Sequence, residues 1–377
     1  MKIVYCIASI YNPGGMERVL LNKVKYLNSK GYKIVVVTTD QQGKAPFYQF
    51  PQNVELIDLG INYSLDNGKN PISKIFSYLK KRRLHKELLT KLLFEQRPDI
   101  TISLYPSESS FIPDIKDGSK KILELHFCKF FRLQYGRKGL LGLADRYRTH
   151  QDERIVKRFD KFVVLSNEDA GYWGPLRNLE VIPNAALENK EYKSDGASKR
   201  VIAVGRLDYQ KGFDRLLKAW ALIPKELTKK EGWHLDIFGQ GEWEQMLQQM
   251  IFQLGIEKSA KINAPTNNIW KEYAESAFLV MSSHYEGFPM VLIEAMSCGI
   301  PAVAYDFKCG AKDIIIPQEN GLIVKEGDIE ALARAMEHLI RDNDLRAKMA
   351  ANAPQVTQRY SEQTVMAKWE NCFKSIL

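Results

Sequence analysis

Short apolar runs alternate with longer amphipathic stretches throughout the sequence, in two successive series. The first series opens with the apolar run KIVYCIAS, the stretch MERVLLNKVKYLNSKG, which closes at Gly31, and the apolar run YKIVVVTT. Continuous apolar runs indicate strands buried on both faces, whereas apolar residues three and four apart indicate a helix. Further strands are predicted at VELIDL, DITISL, KILELHF and KFVVLS. The pattern therefore favours a mostly parallel sheet with helices on both faces.

A polar segment from Glu188 to Lys199 separates this series from a second one. The predicted elements of the second series are RVIAVGRL, FDRLLKAWALI, HLDIFG, WEQMLQQMIFQLG, AKINA, AFLVMSS, MVLIEAMSCG, PAVAYD and DIEALARAMEHLIRD. A chain of 377 residues exceeds what one hydrophobic core usually organises, so we predict two domains, residues 1–188 and 189–360. Such domains place their ligand crevices at the carboxyl ends of the strands, which predicts a cleft between them.

Composition excludes several classes of protein. Five scattered cysteines without CxxC pairing describe neither a disulfide framework nor a zinc site, and they favour a reducing cytoplasm. No segment reaches the ~18 apolar residues that a membrane span requires, and the apolar N-terminus is too short for a signal peptide. We therefore expect a cytoplasmic protein. Its net charge of +9 indicates an anionic partner, which is a nucleic acid, a membrane surface or a phosphorylated substrate.

The positive charge is concentrated between Ile72 and Arg97, where eight Lys or Arg residues stand against two Glu residues. The apolar residues of this stretch recur at helical spacing, which predicts a basic amphipathic helix. Two hypotheses fit that helix. It docks on the anionic inner face of the cell membrane as a peripheral contact, or it is a solvated helix that covers the sheet.

The most informative segment is SSHYEGFPMVLIEAMSCGIPAVAYD, residues 282–306, where a strand, a Gly-Phe-Pro turn and a helix beginning near Met290 follow one another. The start of a helix suits a phosphate, and Gly287 allows the backbone to approach a ligand. The carboxylates of Glu286 and Glu294 can reach a sugar and a ribose. An isolated pair of this kind is usually found on the surface, but Glu294 lies in an otherwise apolar helix, where an unpartnered carboxylate is costly.

The second informative segment is VGRLDYQKGFDRLL, residues 204–217, in which Arg206 and Lys211 flank one loop between a strand and a helix. A planar guanidinium and a compact ammonium together suit the two phosphates of a leaving nucleotide diphosphate. Taken alone, the segment also fits a solvated basic loop.

Two weaker signals come from the first series. Gly14 and Gly15 lie between the first strand and the first helix, where they permit close approach of a ligand but equally fit a connecting turn. His126 follows the predicted strand KILEL at its carboxyl end, where α/β sheets place functional side chains. A lone histidine is nevertheless more often structural.

Together these residues resemble the retaining glycosyltransferases of family 4. The shared motifs, in the family's order, are GGMER (14–18), His126, IPNA (182–185), GRLDYQKG (205–212), FGQGEWE (238–244) and EGFPMVLIE (286–294). The resemblance implies the α/β fold called GT-B, in which two doubly wound, Rossmann-like domains face a cleft. The first domain would bind the acceptor and the second the nucleotide sugar, and the terminal helix, 361–377, would pack back on the first domain.

The resemblance also implies a role for each site residue. Arg206 and Lys211 would hold the donor diphosphate and stabilise the leaving group. Glu286 would bind hydroxyls of the donor sugar, Glu294 would bind the ribose, and His126 would approach the sugar from the acceptor side. The other implied donor-binding residues are Gly14, Gly15, Ile262, Asn263, Gly287, Phe288, Pro289, Met290 and Val291.

The family pattern has consequences for mechanism and substrates. Front-side substitution is favoured, with a covalent intermediate on Glu286 as the alternative. Because Arg206, Lys211 and a helix start can neutralise the diphosphate, we expect no metal or other cofactor. The loop DFKCGAKDII, 306–315, resembles transferases of bacterial surface polysaccharide synthesis. It implies a UDP-linked hexose or N-acetylhexosamine rather than GDP-mannose as donor, and a glycan or lipid-linked glycan as acceptor.

Other functions are open at this point. The net charge motivates a non-catalytic module that binds sugar nucleotides or nucleic acid, but no motif that reads DNA or RNA is present. A phosphorylase or an epimerase would share the fold, although the sequence context of a pyridoxal-phosphate lysine is missing. We expect the loops Gly60–Asn70 and Cys128–Gly142 to select the acceptor.

Overall fold

Two parallel sheets flanked by helices make up the chain in a computed structural model, which describes residues 1–66, 68, 70–104, 106–133, 139–186, 189 and 191–377. The strands are β1 (Lys2–Ile7), β2 (Lys33–Thr38), β3 (Glu55–Asp58), β4 (Ile100–Ser103), β5 (Lys120–Glu124), β6 (Lys161–Val164), β7 (Leu179–Val181), β8 (Arg200–Val204), β9 (His234–Phe238), β10 (Ala260–Asn263), β11 (Phe278–Met281), β12 (Ala302–Tyr305) and β13 (Gly321–Val324). The helices are α1 (Gly15–Ser29), α2 (Pro71–Gln96), α3 (Gly139–Ile155), α4 (Asn167–Trp173), α5 (Phe213–Ala221), α6 (Glu244–Gln253), α7 (Ile269–Ala274), α8 (Met290–Ser297), α9 (Ala311–Ile314), α10 (Ile329–Arg341), α11 (Asn343–Asn352), α12 (Val356–Arg359) and α13 (Glu362–Lys374).

Both sheets are doubly wound. The first has the strand order β3-β2-β1-β4-β5-β6-β7, and the second has the order β10-β9-β8-β11-β12-β13. All of the paired strands run parallel. The order reverses beside β1 in the first sheet and beside β8 in the second, and ligand crevices form at the carboxyl ends of strands at such switch points. The predicted class of two doubly wound α/β units is confirmed.

The predicted strands are present, and the structure adds the edge strands β7 and β13. β7 has three residues that are all partly exposed, and β13 has one buried residue followed by three partly exposed ones. A strand at the edge of a sheet lacks a neighbour on one side, so it does not need the continuous apolar run that marks a central strand. This is why the sequence pattern missed both.

The last helix lies against the first sheet. Val365, Met366, Trp369 and Phe373 of α13 belong to the hydrophobic cluster that contains Tyr5 and other residues of β1. The predicted domain limit after Glu188 falls outside the described residues, so the limits 1–188 and 189–360 stay a prediction. Among the described residues, no helix is long and apolar enough to span a membrane.

The segment after β12, which includes the short helix α9, contacts helix α4 of the first half. The Asp313 carboxylate accepts hydrogen bonds from the backbone and side-chain nitrogens of Asn167, at 2.9 and 2.8 Å, and from the backbone nitrogen of Glu168 at 3.3 Å. The Glu168 carboxylate in turn accepts from the backbone nitrogen of Gly310 at 3.0 Å. These reciprocal contacts hold the loop after β12 against the start of α4.

Candidate active site

A nearly buried ion pair lies at the carboxyl edge of the second sheet. Lys211 Nζ is 2.7 Å from Glu286 Oε1, and the two side chains are only 14% and 7% exposed. Lys211 ends the 3-10 turn Tyr209–Lys211 that follows β8, whereas Glu286 follows β11. Because β8 and β11 are neighbours in the sheet, their carboxyl ends bring these two predicted site residues together.

Gly212 makes the close approach of these two loops possible. Its φ of 59° lies in the left-handed region, and a Cβ atom at this position would be 2.3 Å from the carbonyl oxygen of Ser282. A side chain would therefore be strained by its backbone and would also clash. Gly212 thus allows its neighbour Lys211 to reach the loop that carries Glu286.

Both oxygens of Glu286 have additional partners. Ser283 Oγ donates to Oε1 at 2.7 Å, and Gln210 Nε2 donates to Oε2 at 3.4 Å and to the carbonyl oxygen of Tyr285 at 3.1 Å. The carboxylate is consequently held in one orientation at the carboxyl edge of the sheet.

Arg206 has a different environment from Lys211. Its side chain is 73% exposed, and Nη2 lies 3.3 Å from Asp208 Oδ2 and 3.3 Å from Gln210 Oε1. Gln210 therefore links Arg206 to Glu286, and the guanidinium itself faces solvent beside the ion pair.

The loop after β11 touches the first half of the molecule at His126. A Cβ atom on Gly287 would lie 1.9 Å from the carbonyl oxygen of His126 and 3.3 Å from Cα of Phe127, so this contact admits no side chain. His126 follows β5, at the carboxyl edge of the first sheet. The carboxyl edges of the two sheets thus meet beside Glu286.

The His126 imidazole belongs to a buried network behind that contact. Its Nε2 lies 3.1 Å from Glu124 Oε1, and Lys23 Nζ lies 2.5 and 2.7 Å from the two oxygens of Glu124. Lys23 Nζ also lies 3.9 Å from the ring centroid of Trp369 in α13. Burial alone would raise the pKa of Glu124, but the charges of Lys23 and His126 outweigh it and hold that pKa at about 2. The contact between His126 Nε2 and Glu124 Oε1 is close but does not have the geometry of a hydrogen bond, so this buried nitrogen has no hydrogen-bond partner among the described residues.

Glu294 lies on α8, partly buried, and Tyr273 of α7 donates a hydrogen bond to its Oε2 at 3.3 Å. Burial raises the pKa of the Glu294 carboxyl group, and the positive charges of Arg18 and Lys211 oppose that shift. Arg18 belongs to α1, on the first half of the chain. Glu294 is therefore influenced by cations from both sides of the cleft.

The glycine loop before α1 leaves space at one position. A Cβ atom on Gly14 would lie 2.0 Å from Glu17 Oε2, because that carboxylate folds back over the loop. Among the described residues, no atom lies within 4 Å of the place that a Cβ on Gly15 would take. The end of the flexible Glu17 side chain can move away from a Cβ on Gly14, so protein packing requires a glycine at neither position, and the space beside Gly15 is compatible with a ligand.

The remaining predicted donor residues are found in two places. Ile262 and Asn263 end β10 and are partly buried. Asn263 Nδ2 is a buried nitrogen without a hydrogen-bond partner among the described residues. The buried Phe288 and Pro289 immediately precede α8, and Met290 and Val291 begin it. Of the predicted acceptor loops, residues 67, 69 and 134–138 lie outside the described part of the chain.

Four residues near the site were not predicted: Arg18, Gln210, Tyr273 and Ser283. Arg18 and Gln210 lie inside the motifs GGMER and GRLDYQKG, so those motifs could have indicated them. Ser283 lies three residues before Glu286, within the segment 282–306. Tyr273 stands in no recognisable pattern, and only the packing of α7 beside α8 places it near Glu294.

Two family models match the chain. The model for glycosyl transferases group 1 matches residues 185–356, and the model for glycosyltransferase family 4 matches residues 13–186. The first model covers the second sheet, the other covers the first sheet apart from β1, and together they span most of the chain.

Full-length relatives carry the same assignment. An uncharacterized glycosyltransferase of Haemophilus influenzae is 29% identical over 98% of this chain and 99% of its own. The amylovoran biosynthesis glycosyltransferase AmsD of Erwinia amylovora is 28% identical over the same shares. A Campylobacter jejuni enzyme is 25% identical over 98% of this chain and 97% of its own. Its name describes an α-1,4-N-acetyl-D-galactosaminyltransferase acting on an undecaprenol-linked glycan.

Solved structures share the whole fold. The crystal structure of TarM matches with a TM-score of 0.80 and 16% identity, covering 99% of this chain and 98% of TarM. HepE of Anabaena in complex with UDP-glucose matches with a TM-score of 0.74 and 19% identity, covering 100% of both chains. At these identities the likeness shows the fold alone. Combined with the two family models, it shows that this chain belongs to the family 4-like glycosyltransferases with the GT-B fold.

Proposed function

We propose that this enzyme transfers a hexose or an N-acetylhexosamine, with retention, from a UDP-linked donor to a glycan or lipid-linked glycan in the synthesis of a bacterial surface polysaccharide. The observation that carries the proposal is the ion pair of Lys211 and Glu286 beside the contact of Gly287 with His126. It sets a cation and an oriented carboxylate at the junction of the two sheets. The names of the Erwinia and Campylobacter relatives support the acceptor class, and the UDP-glucose complex of HepE supports the donor.

The donor would lie along the carboxyl edge of the second sheet. Lys211 and Arg206 bind its diphosphate together with the backbone N–H groups at the start of α8, since a helix start attracts anions. Glu294 accepts hydrogen bonds from the ribose hydroxyls. Ile262 and Asn263 contact the base, for which the unpartnered Asn263 Nδ2 offers a donor. From the first half, Gly15 leaves space for the diphosphate.

Glu286 acts by binding sugar hydroxyls rather than as a nucleophile. Lys211, Ser283 and Gln210 already occupy its two oxygens, and such partners reduce the nucleophilicity of a carboxylate. The acceptor hydroxyl instead attacks the anomeric carbon from the face that the diphosphate leaves. The bond from the anomeric carbon to the diphosphate breaks, the new glycosidic bond forms, and the acceptor proton passes to the leaving phosphate. His126 lies on the acceptor side of this arrangement.

The charge of the leaving diphosphate is neutralised by the protein in this proposal. Lys211 is nearly buried, and the attraction between a buried cation and developing negative charge is stronger than in water. Arg206 adds a second cation from the rim of the site. The reaction therefore needs no divalent metal and no other cofactor.

A panel of UDP-, GDP- and ADP-sugars in a thermal-shift assay tests the donor. A ligand that binds only the folded protein raises its Tm by mass action. We expect UDP-hexoses or UDP-N-acetylhexosamines to raise the Tm and to release UDP when an acceptor glycan is present. A shift with GDP-mannose alone would instead support a mannosyltransferase. Binding of UDP-sugars without transfer to any acceptor would support a non-catalytic binding module.

A further inference from the structure

Helix α2 is much longer than the sheet it covers. Its 26 residues span about 39 Å, whereas the six residues of β1 span about 20 Å. The last turns of α2 lie on the sheet, because Leu89, Leu92 and Leu93 share a hydrophobic cluster with Val4 and Val35. The remaining length of the helix must therefore extend past one edge of the sheet.

That edge is the carboxyl edge, where the candidate site lies. The middle of α2 contacts the loops that follow β3 and β4. Lys81 Nζ lies 2.8 Å from Asp66 Oδ2 and donates to the carbonyl oxygen of Asn62 at 2.6 Å. Arg82 Nη2 donates to Ser110 Oγ at 3.1 Å. We call the first two to three turns, residues 71–80, the projecting segment. One side of it still touches the loop after β3, because Ser77 Oγ donates to Asp66 Oδ2 at 2.7 Å and the rings of Tyr78 and Tyr63 lie 5.9 Å apart. The turn before Ser77 extends farther out.

One face of the projecting segment is apolar and exposed. Ile72, Ile75, Phe76 and Leu79 are 71%, 61%, 71% and 55% exposed. Their spacing of three and four residues places them on one side of the helix. A contiguous apolar surface of this kind on a folded protein indicates an interaction site, because water solvates it poorly.

The charge around this stripe is of one sign. Residues 71–86 contain six Lys or Arg residues and no Asp or Glu. Lys81 and Arg82 bind the neighbouring loops, whereas Lys80, Arg83 and Lys86 are exposed. Arg83 and Lys86 follow Leu79 at intervals of four and seven residues, so they continue the apolar stripe along the same face. The apolar stripe is suited to the acyl region of an anionic bilayer, and the basic residues that follow it are suited to the lipid headgroups.

We propose that the projecting segment inserts its apolar stripe into an anionic phospholipid bilayer while Lys80, Arg83 and Lys86 bind the lipid headgroups. The segment lies on the side of the cleft, so docking brings the cleft to the lipid surface. The placement of the cleft at the lipid surface rests on the proposed function, since only a lipid-linked acceptor requires it. The docking of the helix on the bilayer does not depend on the proposed function. The packed end of α2 covers the sheet. The two hypotheses for this helix, membrane docking and a helix that covers the sheet, therefore each describe one half of it.

Vesicle flotation of the purified full chain tests the proposal. We expect the protein to float with phosphatidylcholine vesicles that contain phosphatidylglycerol, and not with phosphatidylcholine alone. Binding should weaken as salt screens the headgroups. The variants Ile72→Ser/Phe76→Ser/Leu79→Ser and Lys80→Glu/Arg83→Glu/Lys86→Glu should each lose at least about tenfold in partitioning, since each basic residue near the surface contributes measurably.

The second sheet offers matched controls. Phe252→Ser removes an apolar side chain that is 77% exposed on α6, and Lys225→Glu/Lys229→Glu/Lys230→Glu makes the same change in net charge on another exposed surface. Both should float like the wild type. The proposal is overturned if the wild type does not float with anionic vesicles, or if the two α2 variants float to the same extent as the wild type. Loss of a dimer in light scattering of the apolar variant would assign the stripe to contact between two copies instead.

The same samples separate this proposal from the proposed function. All the variants should keep the Tm shift caused by a UDP-sugar, because the substituted residues lie outside the donor site. Flotation without any UDP-sugar shift in the wild type would contradict the proposed function alone. A UDP-sugar shift without flotation would contradict the membrane proposal alone.

Discussion

Gly287 packs directly on the carbonyl oxygen of His126, at a distance that excludes even a methyl group. The contact joins the loop after β11 to the loop after β5, and it lies one residue from Glu286. It is a point at which the candidate donor site meets the first half of the molecule, so we expect the geometry of the proposed reaction to depend on it.

Gly287→Ala should therefore lower turnover without unfolding either half. The added Cβ would lie 1.9 Å from the His126 oxygen, and backbone must move to relieve that overlap. A displacement of about 1 Å near reacting groups costs on the order of 10²-fold in rate. Steady-state kcat and Tm measure the two effects. Gly171→Ala is the matched control, because no described atom lies within 4 Å of that Cβ position. Wild-type kcat in Gly287→Ala would mean that the contact has no part in catalysis.

Glu294→Gln should weaken donor binding while leaving the fold at least as stable. Burial raises the pKa of Glu294, so the folded state holds this proton more tightly than the unfolded state does. The ionised Glu294 therefore lowers the free energy of unfolding at neutral pH. This destabilisation diminishes as pH falls through the raised pKa. We expect an unchanged or higher Tm at neutral pH and a donor KM raised roughly tenfold or more, since hydrogen bonds to charged groups are strong.

The pH dependence of donor affinity checks the same assignment. In the wild type, protonation of Glu294 should weaken donor binding on acidification, beginning above the ordinary glutamate pKa of about 4.3. Glu294→Gln should lack this component. Glu330→Gln, at a side chain 78% exposed on α10, serves as the control. Parallel pH profiles in the wild type and Glu294→Gln would remove Glu294 from the donor site.

Glu124→Gln should destabilise the first half by about 3–5 kcal/mol, because Lys23 would be left charged and buried without its partner. The pKa of Glu124 is depressed to about 2, so its stabilising contribution is complete above the unfolded pKa of about 4.3 and disappears as pH falls toward 2. The Tm difference between wild type and variant should follow that window. Glu180→Gln breaks the more exposed pair with Lys161 and should cost less than about 1 kcal/mol. Equal effects of the two variants would contradict the buried network.

Sequence periodicity was sufficient for the central strands of both sheets, since burial on both faces leaves a continuous apolar run. It could not show that Lys211 and Glu286 form a pair, because 75 residues separate them and only the pairing of β8 with β11 brings them together. The motifs placed Arg206 and Lys211 in equivalent roles, yet one side chain is exposed and the other nearly buried. Exposure of that kind depends on the packing of neighbouring loops.

Helix α2 illustrates the same limit. The spacing of its apolar residues predicted one amphipathic helix, but the residues that pack on the sheet and those that face solvent follow one another along its length. That division depends on where the sheet ends, which the sequence of the helix does not contain. Glu294 is the opposite case. A carboxylate in an apolar helix indicated that a partner was needed, and Tyr273 is that partner.

In the proposed reaction, cations of the protein neutralise the leaving diphosphate. Removal of Lys211 or Arg206 takes away one of the two cations that neutralise that charge, and loss of one such electrostatic contact costs ~10²-fold or more in turnover. Lys211→Ala should therefore be nearly inactive, and Arg206→Ala should also lose activity. Both should still bind UDP-sugar through the base and ribose. Lys218→Ala, at a side chain 50% exposed on α5, should behave like the wild type.

Turnover of a UDP-sugar in EDTA, with and without added magnesium, shows whether protein cations or a metal ion neutralise the leaving group. Wild type should keep its activity in EDTA, Lys211→Ala should lose ~10²-fold or more, and magnesium should not restore the variant. Wild-type activity that disappears in EDTA and returns only with a divalent ion would contradict neutralisation by the protein's cations.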